Sequence, residues 1–506
     1  MHYYIGLDNG GTNVKACIFT QEGEQVAIAQ KSTPLISTQA NMVEIDMNNT
    51  KAANLSLLKE VMDKSKIDPS SVSGIAICGH GKGLYLVAKD GSPCRPGILS
   101  ADTRAQGIVD RWNADGTAER IYKKTYQKIM APQAVALLTW LKENEPESLE
   151  NLQWIFECKD YVRYILTGVA KAELTDYSGA NLVNLDTRGY DQSLLDDFGL
   201  GEFMPNLPPL VSSTDFCGGI SAEVAAATGL REGTPVYGGM FDIDACAIAV
   251  HVADTEHICM IGGTWCMNEF LSEKPIGGHK IAMNSIFCDP RYYLEEESSP
   301  TAAVNLEWWV KKLMPEFYTE CKAAGKNPYQ EIDRMVESVP DGEFYPVYFP
   351  FIMASNHNPY ARSCFIGMSY YQERKHLLKS IFEGVVFAHR YHLEKLLSGK
   401  TTGTPSIRLA GGSANSRPWV QMYADITQIP VETVSVTETG TLGCAMCVGV
   451  ACGDYPDYES VADKMSVIKK KILPDPSKKE FYDKRFALYK KLLDALDDVW
   501  LGVASL

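Results

Sequence analysis

Short apolar runs alternate with glycine-rich turns along this chain. Residues 3–7 predict a buried strand and residues 14–19 a returning strand, with Gly10-Gly11-Thr12 in the turn between them. The same tripeptide recurs at Gly262-Gly263-Thr264, directly after the apolar run 257–261. Because the two copies lie about half a chain length apart, we expect two related halves.

Strand and helix patterns then alternate. Apolar runs predict further strands at 72–78, 84–88 and 236–240. Spacing of apolar or small residues predicts helices at 134–142, 160–166, 245–250 and 479–500. A chain of 506 residues exceeds one ordinary core. We therefore expect a mixed α/β protein with two large domains, residues 1–249 and 250–506, and a ligand cleft between them.

The charge balance excludes several classes of partner. The 48 basic and 63 acidic residues give a net charge of −15, and no basic run is typical of a nucleic-acid or anionic-membrane surface. No apolar stretch has membrane-spanning length, and the N-terminus begins a strand rather than a signal segment. We expect a cytoplasmic protein with no nucleic-acid or membrane partner.

Fourteen cysteines are scattered through apolar segments, which predicts buried, reduced thiols. Cys444 and Cys447 form a C-x-x-C pattern within a small-residue helix. With no second pair and no histidine nearby, packing is a better interpretation than zinc or redox use.

The two Gly-Gly-Thr turns have the chemistry of a phosphate site. Paired glycines let the backbone approach a ligand and present its N–H groups, and the threonine hydroxyl adds a donor. Two such turns facing one cleft would hold the phosphates of a nucleotide from both sides. A plain hairpin turn is the alternative for each copy, since Gly-Gly turns are common.

Four motifs in order resemble the FGGY family of carbohydrate kinases. The family's opening hairpin, G-x-D-x-G-G/T-T/S-x-x-R/K, is similar to residues 6–15, and its second phosphate motif to 262–265. Its adenosine motif is similar to 411–425, and its helix start E-x-G-A-L-G-A-A to 438–445. The resemblance covers nearly the whole chain and is greatest to the L-xylulose kinase branch. It implies the two-domain actin/hexokinase-like (ribonuclease H-like) fold with an interdomain cleft.

The resemblance implies ATP-dependent phosphorylation of a sugar hydroxyl, most simply L-xylulose to L-xylulose 5-phosphate, with ATP and Mg²⁺ as cofactors. The partner is a small-molecule sugar, and a homodimer is a common outcome for such enzymes. D-xylulose, L-ribulose and erythritol stay open as acceptors. A nucleotide-gated sugar-binding protein is an alternative, although it would not need Asp242. A nicotinamide dehydrogenase would need G-x-G-x-x-G at a helix start, whereas these glycines open a strand.

The family's nucleotide and metal residues transfer to matching positions. The implied nucleotide contacts are Gly10, Gly11, Thr12, Asn13, Lys15, Gly263, Thr264, Gly411, Gly412, Ser413 and Asn415. Asp8, at a strand end beside the glycine turn, is the implied magnesium ligand through water, because Mg²⁺ keeps much of its hydration shell. A turn aspartate that caps its own loop is the alternative for Asp8, and an exposed strand lysine is the alternative for Lys15.

Two carboxylates compete for the role of general base. The family pattern G-x-x-D-x-x-A assigns the base to Asp242, at a helix N-terminus, where a carboxylate also caps the helix. Asp244 is then a cap partner or a contact to a neighbouring hydroxyl. The pKa of an alcohol is too high for a carboxylate to deprotonate it beforehand, so Asp242 orients the hydroxyl and accepts its proton late.

The family's sugar motifs, S-G-Q-M-H-G and W-x-D-x-R, are similar to residues 78–83 and 100–104. They imply these sugar contacts in addition to Asp242: His80, Gly81, Lys82, Asp102 and Arg104. Lys82 replaces a histidine and Ser100 an aromatic residue, so we expect a distinct contact to a ketose carbonyl or to a particular hydroxyl. The alternatives are a core histidine for His80 and a weak surface ion pair for Asp102 with Arg104.

One loop departs from the family pattern. Where many members have G-E-R-x-P, this chain has Ala354-Ser355-Asn356-His357-Asn358-Pro359, so the loop's contribution to an interface or lid stays open. Asn356, His357 and Asn358 predict a polar loop before proline rather than a metal site.

Overall fold

The computed structural model describes residues 2–11, 13–39, 41–279, 281–340, 342–435 and 438–504. The chain divides into two compact units. The first comprises Met1–Asp254, Leu271–Glu295 and Glu438–Val467, and the second comprises Thr255–Phe270, Glu296–Thr437 and Ile468–Leu506. Each unit contains a sheet with helices, which confirms the two-domain α/β prediction. Leu271–Glu295 and Glu438–Val467 belong to the first unit although they follow residue 249 in the sequence. The predicted division at residue 249 would place both segments in the second domain.

The main sheet of the first unit mixes parallel and antiparallel strands. Its order is Phe216–Gly219, Pro235–Tyr237, Val72–Gly79, Tyr3–Asn9, Asn13–Thr20 and Gln25–Ser32. Tyr3–Asn9 runs antiparallel to its hairpin partner Asn13–Thr20 and parallel to Val72–Gly79. Met240–Phe241 also pairs with Val72–Gly79, in parallel. Parallel pairing brings the carboxyl ends of these strands to one edge, where ligands bind in open α/β sheets.

Shorter strands and eleven helices complete the first unit among the described residues. Its other strands are Leu35–Gln39, Met42–Ile45, Tyr85–Ala88, Gly97–Ile98, Leu152–Phe156, Ala172–Glu173, Leu210–Val211 and Met283–Ile286. Its helices are Met47–Ser65, Gln106–Ala114, Thr117–Thr125, Ala134–Asn144, Cys158–Thr167, Leu174–Gly179, Gln192–Asp197, Ala222–Thr228, Asp242–Ala249, Thr439–Ala451 and Tyr458–Met465. Short 3₁₀ turns occupy Pro69–Ser71, Pro146–Leu149 and Gly201–Asn206.

The second unit repeats the strand plan of the first. Ile258–Gly262 runs antiparallel to Cys266–Ser272 and parallel to Ile407–Ala410, which is followed in the sheet by Val431–Val434 and Ile468–Ile472. The chain passes between the units within the strands Cys266–Ser272 and Tyr293–Ser299. Gly10 and Gly11 in the first unit, and Gly263 and Thr264 in the second, therefore lie between the two strands of a hairpin whose first strand has a parallel neighbour, in agreement with two related halves.

The described part of the second unit contains seven helices. They are Val304–Trp308, Pro315–Ala323, Pro328–Glu337, Arg374–Leu397, Arg417–Thr427, Lys479–Ala495 and Asp497–Ala504, with a π-turn at Trp309–Leu313 and 3₁₀ turns at Gly412–Asn415 and Pro476–Lys478. A small antiparallel pair, Val347–Phe349 and Cys364–Ile366, lies outside the main sheet. Among the described residues, no helix has the length and apolar character needed to cross a bilayer.

The strand predicted at 236–240 is interrupted. The structure has two short strands, Pro235–Tyr237 and Met240–Phe241, separated by Gly238 and Gly239. Gly239 has a φ of 75°, and an added Cβ there would lie 2.0 Å from the carbonyl oxygen of Ile77. Only glycine fits this backbone, and the break directs Met240–Phe241 along the end of Val72–Gly79.

Small residues let the helix Thr439–Ala451 pack closely on the first sheet. An added Cβ on Gly6 would lie 2.0 Å from the carbonyl oxygen of Thr441. One on Gly443 would lie 2.2 Å from the carbonyl oxygen of Ala245, in the helix that follows Asp242. The apolar, small-residue composition of this helix therefore serves packing. Cys444 and Cys447 are both buried free thiols within it.

We predict that Gly443→Ala destabilises the protein despite the better helix propensity of alanine. The new methyl group meets a backbone carbonyl that cannot rotate away, so we expect the free energy of unfolding to fall by about 1–3 kcal/mol, the usual cost of overpacking. Gly107→Ala is the matched control, since Gly107 is also helical and its added Cβ meets nothing within 4 Å. Urea unfolding followed by circular dichroism compares the midpoints, and equal midpoints for the two variants would contradict the close packing.

Candidate active site

The candidate site of the first unit lies where three strands end side by side. Asp8 is the register partner of Cys78, and Asn9 that of Gly79. Met240 and Phe241 pair with the same two residues from the opposite side. Asp242 follows Phe241 directly as the first residue of the helix Asp242–Ala249. The parallel strands thus bring Asp8 and Asp242, which are far apart in sequence, to the same edge of the sheet.

The two candidate bases have different environments. Asp244 is fully buried, and its Oδ1 accepts a hydrogen bond of 2.8 Å from the backbone N–H of Cys288. Asp242 is only partly buried and lies in the first turn of the helix, where the helix dipole stabilises negative charge. The structure therefore gives Asp244 a structural hydrogen bond and leaves Asp242 as the more accessible carboxylate.

Charge and burial shift the proton affinities of both site carboxylates. Burial, with the charges of Asp8 and Asp176, raises the pKa of Asp242 well above its usual range, and the positive charge of Lys82 opposes this rise. Burial also raises the pKa of Asp8 to about 6, against the lowering effect of Lys15. A carboxylate with a raised pKa is a better proton acceptor than an ordinary one, and such shifts are common at functional sites.

The first glycine turn presents its backbone beside these carboxylates. Gly10 and Gly11 are partly buried, Asn13 is exposed, and Thr12 lies outside the described residues. Lys15 faces Asp8 across the hairpin, and its Nζ forms an ion pair of 2.6 Å with Oε2 of Glu438. Lys15 is therefore neither a simple exposed strand lysine nor an unpaired phosphate ligand. A bound phosphate would have to share this ammonium group with Glu438.

The sugar motif after Val72–Gly79 forms a tight, buried turn. The N–H of His80 donates to the carbonyl of Asn9 at 3.0 Å, and its Nε2 lies 3.0 Å from the hydroxyl of Tyr85. Burial lowers the pKa of His80 to about 4, so the ring is neutral at pH 7. An added Cβ on Gly81 would lie 2.3 Å from the ring of Phe241, so glycine is required there.

Lys82 has an unusual environment for a cation. It is 8% exposed and has a φ of 66°, a conformation that non-glycine residues rarely adopt. Among the described residues, no hydrogen bond or ion pair is formed by its ammonium group, although its charge acts on Asp242 and on Glu157. An ammonium group that forms no hydrogen bond within the protein is a natural donor to a ligand.

Asp102 and Arg104 form a buried pair rather than a surface one. The Asp102 carboxylate is fully buried and accepts from the N–H of Val43 at 2.7 Å and from Nη2 of Arg104 at 2.8 Å. It also accepts from the N–H and Nε of Arg104 at 2.9 and 3.0 Å. Arg104 further pairs with Glu44 at 2.7 Å and stacks over Trp140. Most of the hydrogen-bonding capacity of Asp102 is thus used within the protein.

The nucleotide motifs of the second unit pack directly on each other. An added Cβ on Gly411, which has a φ of 86°, would lie 2.9 Å from the backbone nitrogen of Gly263. Ser413 is fully buried, and its hydroxyl lies close to Gly262. Gly412, Asn415 and Thr264 are exposed, and Gly263 is partly so. The exposed backbone of these adjacent turns is available to a ligand, whereas the Ser413 side chain serves packing.

The polar loop at 356–358 is held by the protein itself. Asn356 donates to the carbonyl of Ser298 at 2.7 Å, His357 lies 2.9 Å from the hydroxyl of Tyr391, and Asn358 donates to Asp497 at 2.7 Å. Within the described part of the chain, no cluster of three or more histidine, cysteine or acidic side chains could hold a metal ion.

Sequence reasoning missed a buried ionic cluster beside the site. Lys159 lies 2.8 Å from Asp176, 3.0 Å from Asp160 and 3.1 Å from Glu173, and all four side chains are fully buried. The only signal was the charged start of the predicted helix at 160–166, which is also typical of a solvated helix end. Partners separated by a dozen or more residues gave no local pattern.

Comparisons with known proteins identify the family of this chain. A model of the N-terminal domain of the FGGY family of carbohydrate kinases matches residues 3–249, and a model of its C-terminal domain matches residues 258–452. The chain is 33% identical to the L-xylulose/3-keto-L-gulonate kinase of Escherichia coli (strain K12), over 98% of this chain and 97% of that protein. It is 30% identical to a protein of Haemophilus influenzae named Probable L-xylulose kinase, over 99% and 100% of the two chains.

Solved structures share the fold. The xylulose kinase of Lactobacillus acidophilus superimposes with a TM-score of 0.87 at 24% identity, over 99% of this chain and 100% of that one. A gluconate kinase from the same organism gives a TM-score of 0.88 at 24% identity, over 99% of both chains. From its two matching domains and its full-length relatives, the chain belongs to the FGGY family of carbohydrate kinases, enzymes that use ATP to phosphorylate a sugar.

Proposed function

We propose that this carbohydrate kinase converts L-xylulose to L-xylulose 5-phosphate, with Asp242 as the general base and Mg²⁺ bound near Asp8. The observation that supports the proposal best is the strand register that brings Asp8, Asp242 and the Lys82 turn to one sheet edge. The names of the full-length relatives support L-xylulose as the acceptor.

In the proposed reaction, Asp242 accepts a hydrogen bond from the sugar hydroxyl and orients its oxygen toward the γ-phosphorus of ATP. The new bond forms between that oxygen and the γ-phosphorus, while the bond to the β–γ bridging oxygen breaks and ADP leaves. The hydroxyl proton moves to Asp242 late in this step. The raised pKa of Asp242 supports this role, because it brings the proton affinity of the carboxylate closer to that of the reacting alcohol.

The donor set at the sheet edge fits magnesium. Asp8 and Asp242 are neighbouring carboxylates, and the charge of Asp8 contributes to the raised pKa of Asp242, a repulsion that a cation relieves. Mg²⁺ usually takes one or two carboxylates together with water and substrate phosphates, so a larger protein cage is not needed. When bound, Mg²⁺ neutralises phosphate charge. Asp8 would hold it, through water.

The nucleotide role is proposed for two sets of residues, each within one unit. Gly10, Gly11 and Asn13, with Thr12 and Lys15, would contact phosphates from the first hairpin. In the second unit the corresponding residues are Gly263, Thr264, Gly411, Gly412, Ser413 and Asn415. The adjacency of the Gly263 and Gly411 backbones supports a shared nucleotide surface there. For Ser413, burial favours shaping this surface over direct contact.

A second acceptor, an acidic ketose such as 3-keto-L-gulonate, is favoured by Lys82. The Escherichia coli relative is named for both sugars. A carboxylate on the sugar would form a charge-assisted hydrogen bond with the Lys82 ammonium group, which is about twice as strong as a neutral one. His80 and Gly81 would contact the same sugar, with Asp102 and Arg104 supporting the wall of the pocket.

Three wider features belong to the same proposal. Residues 1–249 and 250–506 would act as sugar-binding and ATP-binding domains, the enzyme would be a homodimer, and it would work in the cytoplasm, where ATP is available. Size-exclusion chromatography with light scattering tests the dimer directly. A monomeric mass at micromolar concentration would remove that part of the proposal.

We predict that L-xylulose gives the highest kcat/KM in a coupled ADP-release assay. The comparison includes 3-keto-L-gulonate, D-xylulose, L-ribulose and erythritol, each with ATP and Mg²⁺. Ketoses should exceed the polyol erythritol, because Lys82 donates hydrogen bonds and has a carbonyl acceptor only in the ketoses. A clear preference for erythritol would contradict the substrate assignment while leaving the kinase activity intact.

We predict that Asp242→Asn lowers kcat by about 10²- to 10⁴-fold, the usual worth of a positioned general base. The amide cannot accept the hydroxyl proton, so turnover falls. Because the amide keeps the shape of the side chain, the binding of ATP and sugar should change little. Asp244→Asn is the matched control, because its measured effect should be on thermal stability through the Cys288 hydrogen bond. Normal turnover by Asp242→Asn together with a large loss for Asp244→Asn would identify the other carboxylate as the base.

We predict that Lys82→Met lowers kcat/KM for L-xylulose by about 10- to 100-fold, which corresponds to one hydrogen bond from a charged donor. The loss should be larger for 3-keto-L-gulonate and smaller for a polyol, while the KM for ATP stays unchanged. Steady-state kinetics with the three acceptors measure these ratios. Equal losses on all acceptors, or a loss confined to ATP, would exclude Lys82 from sugar recognition.

A further inference from the structure

A buried chain of hydrogen bonds ends on the backbone next to Asp242. The N–H of Phe241 donates to Oγ1 of Thr175 at 2.8 Å. The same hydroxyl donates to Oε2 of Glu173 at 2.6 Å, and that oxygen lies 3.1 Å from Nζ of Lys159. Thr175, Glu173 and Lys159 are at most 1% exposed, so water does not compete for these bonds. The Met240–Phe241 peptide, one residue before Asp242, is therefore bound to a buried ion pair through Thr175.

Two further contacts hold the start of the same segment. Nη1 of Arg163 donates to the carbonyl of Gly238 at 2.6 Å, and its Nη2 pairs with Asp160 at 2.6 Å. Ser213 donates from its hydroxyl to Oε1 of Glu173 at 2.8 Å, and its carbonyl accepts from the N–H of Gly239 at 3.0 Å. Gly238, Gly239 and Phe241 are thus all bound to one network.

Stability alone does not explain this network. The desolvation penalty of a buried ion pair can exceed its Coulombic attraction, and apolar residues of the same volume often stabilise a fold as well or better. They do fix a geometry, because each hydrogen bond in a water-free site is directional. Phosphoryl transfer depends on such geometry, since a displacement of about 1 Å at the reacting groups can cost about 100-fold in rate.

We propose that Thr175 is a positioning residue for phosphoryl transfer, which acts through the N–H of Phe241 to hold Asp242 in line with the sugar hydroxyl. The inference rests on the proposed role of Asp242 as the base. Thr175 does not act on the substrate itself. Glu173 and Lys159 orient the Thr175 hydroxyl, so that its oxygen faces the Phe241 N–H as an acceptor.

Thr175 is the right position to test, because changes at Lys159 or Glu173 would leave charges buried without partners and unfold the unit. Thr175→Val keeps the side-chain shape and removes the acceptor, and Thr175→Ser restores it. Thr228→Val is the matched control: Thr228 is fully buried in the same unit, its hydroxyl donates to Val224, and it accepts from the N–H of Leu230 at 3.3 Å. Thr175→Val and Thr228→Val therefore each leave one backbone N–H without its hydrogen-bond acceptor.

We expect Thr175→Val to lower kcat by about 10- to 100-fold, with both KM values nearly unchanged, since positioning rather than binding is lost. Thr175→Ser should recover most of the activity. Thr228→Val should lower the thermal midpoint about as much as Thr175→Val does, but it should leave kcat at the wild-type value. Ser213→Ala, one link further along the network, should give a smaller loss in kcat and provides the test if Thr175→Val does not fold.

A double-mutant cycle separates positioning from general damage. If Thr175 acts through Asp242, the two effects are not additive, and Thr175→Val costs nothing further in the Asp242→Asn background. Additive losses, or a rise in the KM for sugar, would overturn the inference. If Thr175→Val is fully active while Asp242→Asn is impaired, the positioning role of Thr175 is also wrong, but the proposed role of Asp242 as the base is unaffected. Full activity of Asp242→Asn would instead remove the base assignment on which the inference rests.

Discussion

The site of this kinase depends on the parallel pairing of three strands at one register. Tyr3–Asn9, Val72–Gly79 and Met240–Phe241 end level with each other, so that the residues after them share one edge of the sheet. Because side chains alternate between the faces of a strand, a slip of one residue would turn Asp8 to the opposite face. Gly239 secures the third strand, since only glycine fits against the carbonyl of Ile77. The fold thereby determines which carboxylates are neighbours.

The carboxylates at this edge of the sheet repel each other, and the lysines nearby offset only part of this repulsion. Burial, together with the nearby charges of Asp8 and Asp176, raises the pKa of Asp242. Lys15 forms an ion pair with Glu438, and Lys159 forms ion pairs with three carboxylates, so both cations already have partners within the protein. A divalent cation would relieve the remaining repulsion between Asp8 and Asp242, which is the physical basis of the magnesium site proposed above.

Local patterns in the sequence predicted the elements well, and motifs predicted the family. The apolar runs at 3–7 and 72–78 are strands, and the residue pattern at 134–142 is a helix, because burial on one face leaves a periodic trace. Asp242 was preferred over Asp244 only through the family pattern, since spacing alone does not distinguish two carboxylates in one helical turn. The Lys159 cluster and the Lys15–Glu438 pair were not predictable, because their partners are distant in sequence and leave no periodic trace. The return of residues 438–467 to the first unit was missed for the same reason.

The polar groups of the candidate site differ in how many hydrogen bonds they form within the protein, and this difference bears on their proposed roles. Asp102 accepts from Val43 and Arg104, so little of it remains for a sugar hydroxyl. Lys82, in a strained backbone conformation, has no close partner among the described residues. Backbone strain costs free energy, and strained residues cluster at functional sites, where the binding of a ligand can offset that cost. We therefore expect Asp102 and Arg104 to shape the wall of the pocket, and Lys82 to determine which sugar is phosphorylated.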